Sequence, residues 1–223
     1  MNSEAENSAG LRWKDRKIFE VKQMVWTYER AAYDRGFHAV CGCDEAGAGP
    51  LAGRVYAAAV ILPVGLELPY LTDSKKVTPK RRDILYDQIR ECAMAWSVAW
   101  AEAHEVDELD ILNCRMLAMQ RAIDGLPVSA DYALIDGNRD HGSRCGITTD
   151  HETIIEGDSK SASISAASIL AKVSRDRYME EMAKESPQYE FEKHKGYGTK
   201  RHYELLREYG PCPIHRRTFL KKL

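Results

Sequence analysis

The sequence lacks any apolar run of about 18 residues, the length that a helix needs to cross a bilayer, so no membrane span is expected. Its first stretch, MNSEAENSAGLRWKDRK, also lacks the apolar core of a secretory signal, and we expect a cytoplasmic protein. The six cysteines are scattered, and only Cys41 and Cys43 lie close together. A lone Cys-x-Cys pair is a poor zinc signal, so the sequence favours reduced, mostly buried thiols over a zinc site.

The chain has no internal repeat and no linker, and its 223 residues are enough for one well-buried domain. A net charge of −2 argues neither for nor against nucleic acid, but the charge is unevenly distributed. Residues 193–223 hold nine lysines and arginines against two glutamates, and a second basic cluster lies at residues 75–82. Such clusters occur as solvated surface, and beside carboxylates they also suit a polyanionic ligand.

Two short apolar segments flank a glycine-rich turn near the middle of the first half of the chain. Residues 37–43 lead into Asp44 and Glu45, and residues 55–62 leave the turn, so both segments are typical of buried strands. Neighbouring side chains of a continuing strand point to opposite faces. A break at Glu45, which the glycines permit, would let the two carboxylates converge on one ion. The alternative is a hairpin with two solvated acids.

Two further acids end apolar segments. Asp136 follows residues 132–135, and Asp158 follows residues 153–157. Open α/β sheets place their sites at such strand ends, although each acid alone is also typical of a turn or a helix cap. Four acids with no nearby cysteine or histidine ligand favour a hard cation, Mg²⁺ or Mn²⁺.

In the rest of the chain, the spacing of apolar residues predicts helices that alternate with strands, which indicates an α/β domain. Residues 1–10 are expected to be disordered. Helices are predicted at residues 11–35, 105–126, 159–184 and 200–209, and a further helix is predicted to begin at residue 79. Further strands are predicted at residues 95–101, 132–135 and 152–156.

Six ordered motifs resemble ribonuclease HII over roughly residues 37–220: DEAGAGPLAG, LTDSKK, LIDGN, GDSKSASISAASILAKVSRD, HKGYGT and GPCPIHRRTF. The first motif departs from the family twice. Ala48 stands between Gly47 and Gly49 where the family usually has arginine, and Arg54 stands where it usually has proline.

The resemblance implies a ribonuclease H-like fold, with a central mixed sheet flanked by helices and a helical C-terminal region. The expected division is a tail and helix at 1–36, a catalytic core at 37–186 and a basic C-terminal region at 187–223. The implied activity is metal-dependent hydrolysis of the RNA strand of RNA:DNA hybrids, including cleavage 5′ of single ribonucleotides in duplex DNA. Two cations would leave a 3′-hydroxyl and a 5′-phosphate. The resemblance selects the same four ligands, Asp44, Glu45, Asp136 and Asp158.

Substrate recognition requires detection of the ribose 2′-hydroxyl, which distinguishes RNA from DNA. Backbone amides of Gly47, Ala48 and Gly49 can approach it closely because glycines remove steric bulk. The HKGYGT match assigns Tyr197 to a sugar at the RNA–DNA junction. Weaker candidates for phosphate contacts are Thr72, Ser74, Lys75 and Lys160. The expected partners are RNA:DNA hybrids and ribonucleotide-containing DNA duplexes, bound by a monomer.

Two other functions compete with this interpretation. The missing arginine at position 48 makes a hybrid-binding protein with feeble catalysis an alternative. A carboxylate-pair glycosidase is disfavoured by the basic clusters and by the lack of an aromatic-rich cleft signal.

Overall fold

One mixed five-stranded sheet forms the centre of the computed structural model, which describes residues 25–138 and 142–221. The strands lie in the order β3-β2-β1-β4-β5. The β1–β2 and β2–β3 pairs are antiparallel, whereas β1–β4 and β4–β5 are parallel. Their bounds are β1 Val40–Ala46, β2 Val55–Ile61, β3 Ala95–Ala101, β4 Tyr132–Asp136 and β5 His151–Ile154.

Helices cover both faces of the sheet. They are α1 Thr27–Asp34, α2 Pro79–Cys92, α3 Ala103–Leu109, α4 Ile111–Asp124, α5 Ala162–Glu185, α6 Phe191–His194 and α7 Lys200–Tyr209. Apolar residues of α4 pack on one face, and those of α2 and α5 pack on the other. The predicted α/β fold, a mixed sheet flanked by helices, is confirmed.

Alternation along the strands decides which side chains meet which helix. In β2, Ala57 and Ala59 belong to the core on the α4 side, and Ala58 and Val60 to the core on the α5 side. In β1, a Cβ on Gly42 would lie 2.2 Å from the Ile164 backbone nitrogen, so α5 crosses this strand at backbone contact. The next residue on that face is Asp44, which is therefore held close to α5.

The single helix expected at 105–126 is two helices. Asp110 has φ 77°, and its Oδ1 accepts a hydrogen bond from the Asn113 amide at 3.0 Å, so it caps α4 and separates it from α3. The sequence pattern missed this break because the apolar stripe continues across it. An aspartate that can cap and tolerate a left-handed backbone is the local cause.

Other boundaries differ by a few residues. The fifth strand lies at His151–Ile154 rather than 152–156, and α5 begins at Ala162 because the Ser161 hydroxyl caps it by accepting from the Ile164 amide. The first helix begins at Thr27, and Gly36 follows its end with φ 96°, as predicted. Residues 1–24, which include the expected disordered tail and most of the expected first helix, lie outside the described residues.

The C-terminal region packs on the glycine-rich turn after β1. Ala52 forms a β-bridge with His215, and the Arg216 amide donates to the Leu51 carbonyl at 2.9 Å. Leu51 and Ala52 also share an apolar cluster with residues of α5, α6 and α7. Among residues 25–138 and 142–221, no helix is both long and apolar enough to cross a membrane.

Candidate active site

The first two candidate ligands lie at the end of β1 and point to opposite faces of the sheet. The strand continues to Ala46, and Glu45 is paired with Ala57 of β2, so the break at Glu45 that would let the two carboxylates converge does not occur. Asp44 faces α5, where the Ser168 hydroxyl is its hydrogen-bond partner. Glu45 faces α4, and its Oε1 lies 2.7 Å from the Nε of Arg115.

Both carboxylates sit in surroundings that disfavour negative charge. Burial raises the pKa of Asp44 well above its usual value, and the nearby charges of Glu45 and Asp136 raise it further. Burial also raises the pKa of Glu45, although the Arg115 guanidinium opposes this shift. The second oxygen of Glu45, Oε2, is buried without a hydrogen-bond partner. The ionised carboxylates at the end of β1 would therefore be stabilised by additional positive charge.

Asp136 and Asp158 join this cluster from the neighbouring strand and the loop before α5. In the parallel β1–β4 ladder Cys43 lies opposite Ile135, which brings Asp136 next to Asp44. The Asp158 amide donates to Asp136 Oδ1 at 3.3 Å. Burial, followed by the charges of Asp73 and Asp136, raises the pKa of Asp158 to about 6. The topology thus brings all four predicted acids to one end of two adjacent strands.

Asp73 is a fifth acid that the sequence analysis did not select. It is 9% exposed, and its Oδ1 accepts a hydrogen bond from the Lys75 amide at 2.9 Å. The position of Asp73 inside the LTDSKK motif could have identified it as a site residue. An aspartate at such a position is equally typical of a turn, so the sequence alone did not distinguish the two roles.

The four acids offer only oxygen ligands, the type that a hard divalent cation prefers. Glu45 Oε2 is a buried acceptor without a partner. Within the part of the chain that the structure describes, however, no three carboxylates, imidazoles or thiols are grouped so as to hold a metal ion. Glu45 is directed at Arg115 instead. Convergence would therefore require the Glu45 carboxylate to turn towards the other acids, against the attraction of Arg115 on Oε1.

The glycine-rich turn is held from behind by Arg216. This side chain is fully buried, and its guanidinium donates to the carbonyl oxygens of Gly47, Ala48, Pro50 and Gly53 at 2.7–3.0 Å. Gly47 has φ 100°, and a Cβ there would lie 2.1 Å from Arg175 Nε, so this position requires glycine. With the carbonyls turned inward, the amides of Ala48 and Gly49 have no acceptor among the described residues.

A cleft of about 210 Å³ joins the acids to this turn. Its predicted members are Asp44, Glu45, Gly47, Ala48, Gly49, Ser74, Lys75 and Tyr197, and its further members are Ala46, Ser168, Lys172 and Arg175. Tyr197 is 46% exposed at its edge, and Arg175 Cζ lies 5.7 Å from the centre of its ring. The structure therefore brings the turn, the tyrosine and two of the acids into one cleft.

The weaker phosphate-contact candidates divide into two groups. Ser74 and Lys75 line the cleft, and the Ser74 hydroxyl oxygen accepts a hydrogen bond from Ser168 at 2.8 Å. Thr72 and Lys160 are not among the residues that line it. The Lys160 Nζ donates to the Ile155 carbonyl at 2.7 Å, so its ammonium group contacts its own loop.

Arg54, the second departure from the family pattern, has its charge paired. Its Nη2 lies 2.9 Å from Glu102 Oε1, and its guanidinium stacks on the rings of Trp100 and Tyr178, each 4.7 Å from Cζ. Burial acts to lower the pKa of Arg54, but the hydrogen bonds that it donates to Glu102 and Tyr56, together with the Glu102 charge, give a net upward shift.

Three arginines and one serine of the site were missed by sequence reasoning. Arg216 and Arg175 lie within matched motifs, but nothing in a sequence distinguishes a buried arginine from a basic surface. Arg115 lies on α4 beside the apolar stripe, and we assigned this helix no function. Ser168 lies among small residues of α5, and only the packing of α5 on β1 reveals its proximity to Asp44.

Comparison with known proteins identifies the family. A family model described as Ribonuclease HII matches residues 41–222. Ribonuclease HII of Endomicrobium trichonymphae is 53% identical over 195 residues, which cover 87% of this chain and 91% of that protein. Ribonuclease HII of Caldicellulosiruptor bescii is 45% identical over 210 residues, which cover 94% and 97%.

Solved structures support the same fold. Ribonuclease H2 from Pyrococcus horikoshii OT3 aligns with a TM-score of 0.65 at 24% identity over 81% of this chain and 93% of that chain. Bst-RNase HIII in complex with Mn²⁺ aligns with a TM-score of 0.52 at 18% identity over 85% and 67%. These likenesses support the fold, and the family model and the sequence relatives show that the chain belongs to the ribonuclease HII family and is a ribonuclease H type endoribonuclease.

Proposed function

We propose that this protein hydrolyses the RNA strand of RNA:DNA hybrids and cuts on the 5′ side of single ribonucleotides embedded in duplex DNA. The observation that carries the proposal is the shared cleft, in which Asp44 and Glu45 adjoin a turn whose Ala48 and Gly49 amides meet no acceptor in residues 25–138 and 142–221. The acids supply cation ligands for phosphodiester hydrolysis, and the amides supply donors for a ribose hydroxyl. The enzyme is proposed to act as a monomer in the cytoplasm.

The reaction is proposed to depend on Mg²⁺ or Mn²⁺ held by Asp44, Glu45, Asp136 and Asp158. When bound, a pair of divalent cations supplies an activated water and charge stabilisation at the leaving oxygen. Asp44, Glu45 and Asp136 lie at the ends of β1 and β4, Asp158 lies in the turn after β5, and Asp44 and Asp158 are buried. Burial and mutual repulsion raise the pKa of Asp44, so the cluster gains most from cations that neutralise it. The products would carry a 3′-hydroxyl and a 5′-phosphate.

Selection of a ribonucleotide is proposed to use the glycine-rich turn together with Tyr197. The amides of Ala48 and Gly49 have no partner in the part of the chain that the structure describes, and their peptide planes are fixed by the bonds from Arg216 to the Ala48 and Gly47 carbonyls. Tyr197 closes the other side of the cleft and presents an exposed ring. A ribose placed between them would be recognised by backbone donors and by contact with an aromatic side chain.

Phosphates of the substrate are proposed to bind the basic side of the cleft, where Lys75 and Lys172 lie near the acids. Burial acts to lower the pKa of Lys75, but the combined charges of Asp73, Asp158, Asp44 and Asp136 give a net upward shift. This lysine therefore stays charged and can partner a phosphate that approaches bound cations.

The test is cleavage of a DNA duplex that contains one ribonucleotide, with Mg²⁺, with Mn²⁺ and with a chelator. We expect one cut 5′ of the ribonucleotide, a 3′-hydroxyl and a 5′-phosphate at the ends, and no cut in the chelator. An all-DNA duplex is the control. Tight binding of the ribonucleotide-containing duplex without a cut under either metal would instead support the hybrid-binding alternative, which Ala48 favours.

A further inference from the structure

We propose that Arg115 is a positioning residue that holds Glu45 away from the other acids in the metal-free protein and so limits the affinity of the site for divalent cations. The inference rests on the proposed metal-dependent function and concerns a residue on the opposite face of the sheet from Asp44. Arg115 would act through Glu45, without contact with substrate.

The first evidence is the geometry of the pair. Arg115 Nε forms an ion pair with Glu45 Oε1 at 2.7 Å without the alignment of a hydrogen bond, and the two side chains are 26% and 12% exposed. A Cβ built on Gly137 would lie 3.9 Å from Arg115 Nη2, so the guanidinium also borders the turn after Asp136. Arg115 therefore lies between two elements that carry candidate ligands, β1 and the end of β4.

The second evidence is the direction of Glu45. The strand continues through this residue, so its carboxylate and that of Asp44 leave opposite faces of β1. Arg115 approaches from the α4 side and stabilises Glu45 there. Nothing comparable holds its other oxygen, since Glu45 Oε2 is buried without a hydrogen-bond partner. A cation that recruits both Asp44 and Glu45 therefore either binds Oε2 beside the Arg115 charge or competes with Arg115 for Oε1.

The third evidence is charge. An arginine stays protonated under ordinary conditions, so this positive charge remains beside the cluster when a cation enters. It opposes divalent binding in two ways, by repelling the ion and by competing for Glu45. A unit charge about 6 Å from a divalent ion, with water-like screening, changes affinity by about tenfold. Removal of the guanidinium should therefore tighten cation binding by about that factor.

The experiment measures Mg²⁺ and Mn²⁺ binding to the full chain by titration calorimetry, without substrate. We expect Arg115→Gln to bind each cation about tenfold more tightly than the wild type and Arg115→Lys to stay close to the wild type. Arg121→Gln is the matched control on the same helix, because Arg121 pairs with Glu105 outside the cluster, at 2.8 Å. It should leave cation affinity unchanged.

A double-mutant cycle with Glu45→Gln separates this role from a general effect on folding. If Arg115 acts by holding Glu45, part of the gain from Arg115→Gln should disappear when residue 45 is glutamine. Thermal unfolding of each variant checks that the fold is retained. An Arg115→Gln affinity equal to or weaker than that of the wild type overturns the inference while the metal site stands.

Loss of the binding heat in Asp136→Asn identifies the site that is titrated. If neither the wild type nor Arg115→Gln binds a cation, the metal-dependent function fails, and the inference fails with it. Binding by Arg115→Gln alone would support the inference in its strongest form.

Discussion

Arg216 Nη2 lies 2.7 Å from the carbonyl oxygen of Gly47 and donates a hydrogen bond that links the C-terminal segment to the first glycine of the turn. The guanidinium is fully buried and is surrounded by carbonyl oxygens of the turn. Burial, with a smaller contribution from the charge of Arg175, lowers the pKa of Arg216 to about 9. The conformation of the turn therefore depends on residues near the end of the chain.

Arg216→Lys tests this dependence. A lysine cannot reproduce the planar fork that reaches four carbonyls, and burial acts against its charged form. We expect a folded protein that is destabilised by about 1–3 kcal/mol, the cost of buried acceptors left without partners. The preference for a ribonucleotide-containing duplex over an all-DNA duplex should fall at least several-fold. Urea unfolding and competitive binding measure the two effects.

Arg217→Lys is the control, because Arg217 is exposed next to the same position. It should leave both stability and preference unchanged. An Arg216→Lys variant with wild-type discrimination would show that the turn keeps its shape without this side chain.

The acid cluster gives the second prediction. Asp44→Asn and Asp136→Asn should each abolish cleavage while the fold is retained, because each removes a ligand charge. Glu45→Gln should be severe and Asp158→Asn milder. Asp83→Asn is the control, since Asp83 is an exposed acid of α2 that pairs with Arg177 away from the cleft. The measurement is the cleavage rate of each variant in Mg²⁺, and full activity of Asp136→Asn would contradict the ligand assignment.

Tyr197 gives the third prediction. Its ring lies at the edge of the cleft, where a sugar at an RNA–DNA junction would make contact. Tyr197→Ala should lose activity on a single embedded ribonucleotide more than on a long hybrid, because a long hybrid offers many alternative registers. Tyr209→Ala, which changes another half-exposed tyrosine, is the control. Equal losses on the two substrates would remove the specific role of Tyr197.

Much of this arrangement follows from local sequence, and some of it does not. The apolar segments before Asp44 and Asp136 predicted two strand ends, and the alternation of strands and helices predicted the α/β fold. The orientation of Glu45 was not predictable, because it depends on whether the β1–β2 ladder stops or continues at that residue. Arg115 and Arg216 pair with atoms 70 and more than 160 residues away, and no local pattern records such contacts.

A histidine pair behind the Tyr197 loop gives the fourth prediction. Nε2 of His202 lies 3.0 Å from Nε2 of His215, so one ring nitrogen donates and the other accepts, and both rings are neutral. Burial lowers the pKa of each to about 4 from an ordinary 6.5. The unfolded chain then binds more protons, so this contribution to stability is complete above about pH 6.5 and is lost as the pH falls towards 4.

The expected loss between pH 7 and pH 5 is on the order of 2–4 kcal/mol for the pair. The raised pKa values of Asp44, Glu45 and Asp158 act in the opposite direction, so the comparison must be made between variants. His202→Gln should be less stable at pH 7 but should lose less stability on acidification than the wild type. His104→Gln, at an exposed position, should follow the wild-type curve in urea unfolding at both pH values.

Ala48 gives the last prediction, which concerns the arginine that the family usually carries in this turn. Ala48 is half-buried at the cleft, and its neighbour Gly49 is exposed, so a longer side chain at position 48 can reach solvent and a bound phosphate. Each phosphate neutralised contributes roughly 0.9 to the salt slope of duplex binding. Arg54 does not replace the missing charge in this structure, because its guanidinium is paired with Glu102.

We therefore expect Ala48→Arg to bind an RNA:DNA hybrid more tightly and to steepen the dependence of log affinity on log salt by about one unit. Turnover at saturating substrate should change less, because the four acids are untouched. Ala48→Gln adds length without charge and is the matched control, so it should leave the salt slope unchanged. Hybrid affinity is measured at several salt concentrations for the wild type and both variants. If the Ala48→Arg curve coincides with that of Ala48→Gln, position 48 does not face a phosphate, and the alanine in this turn is neutral for binding.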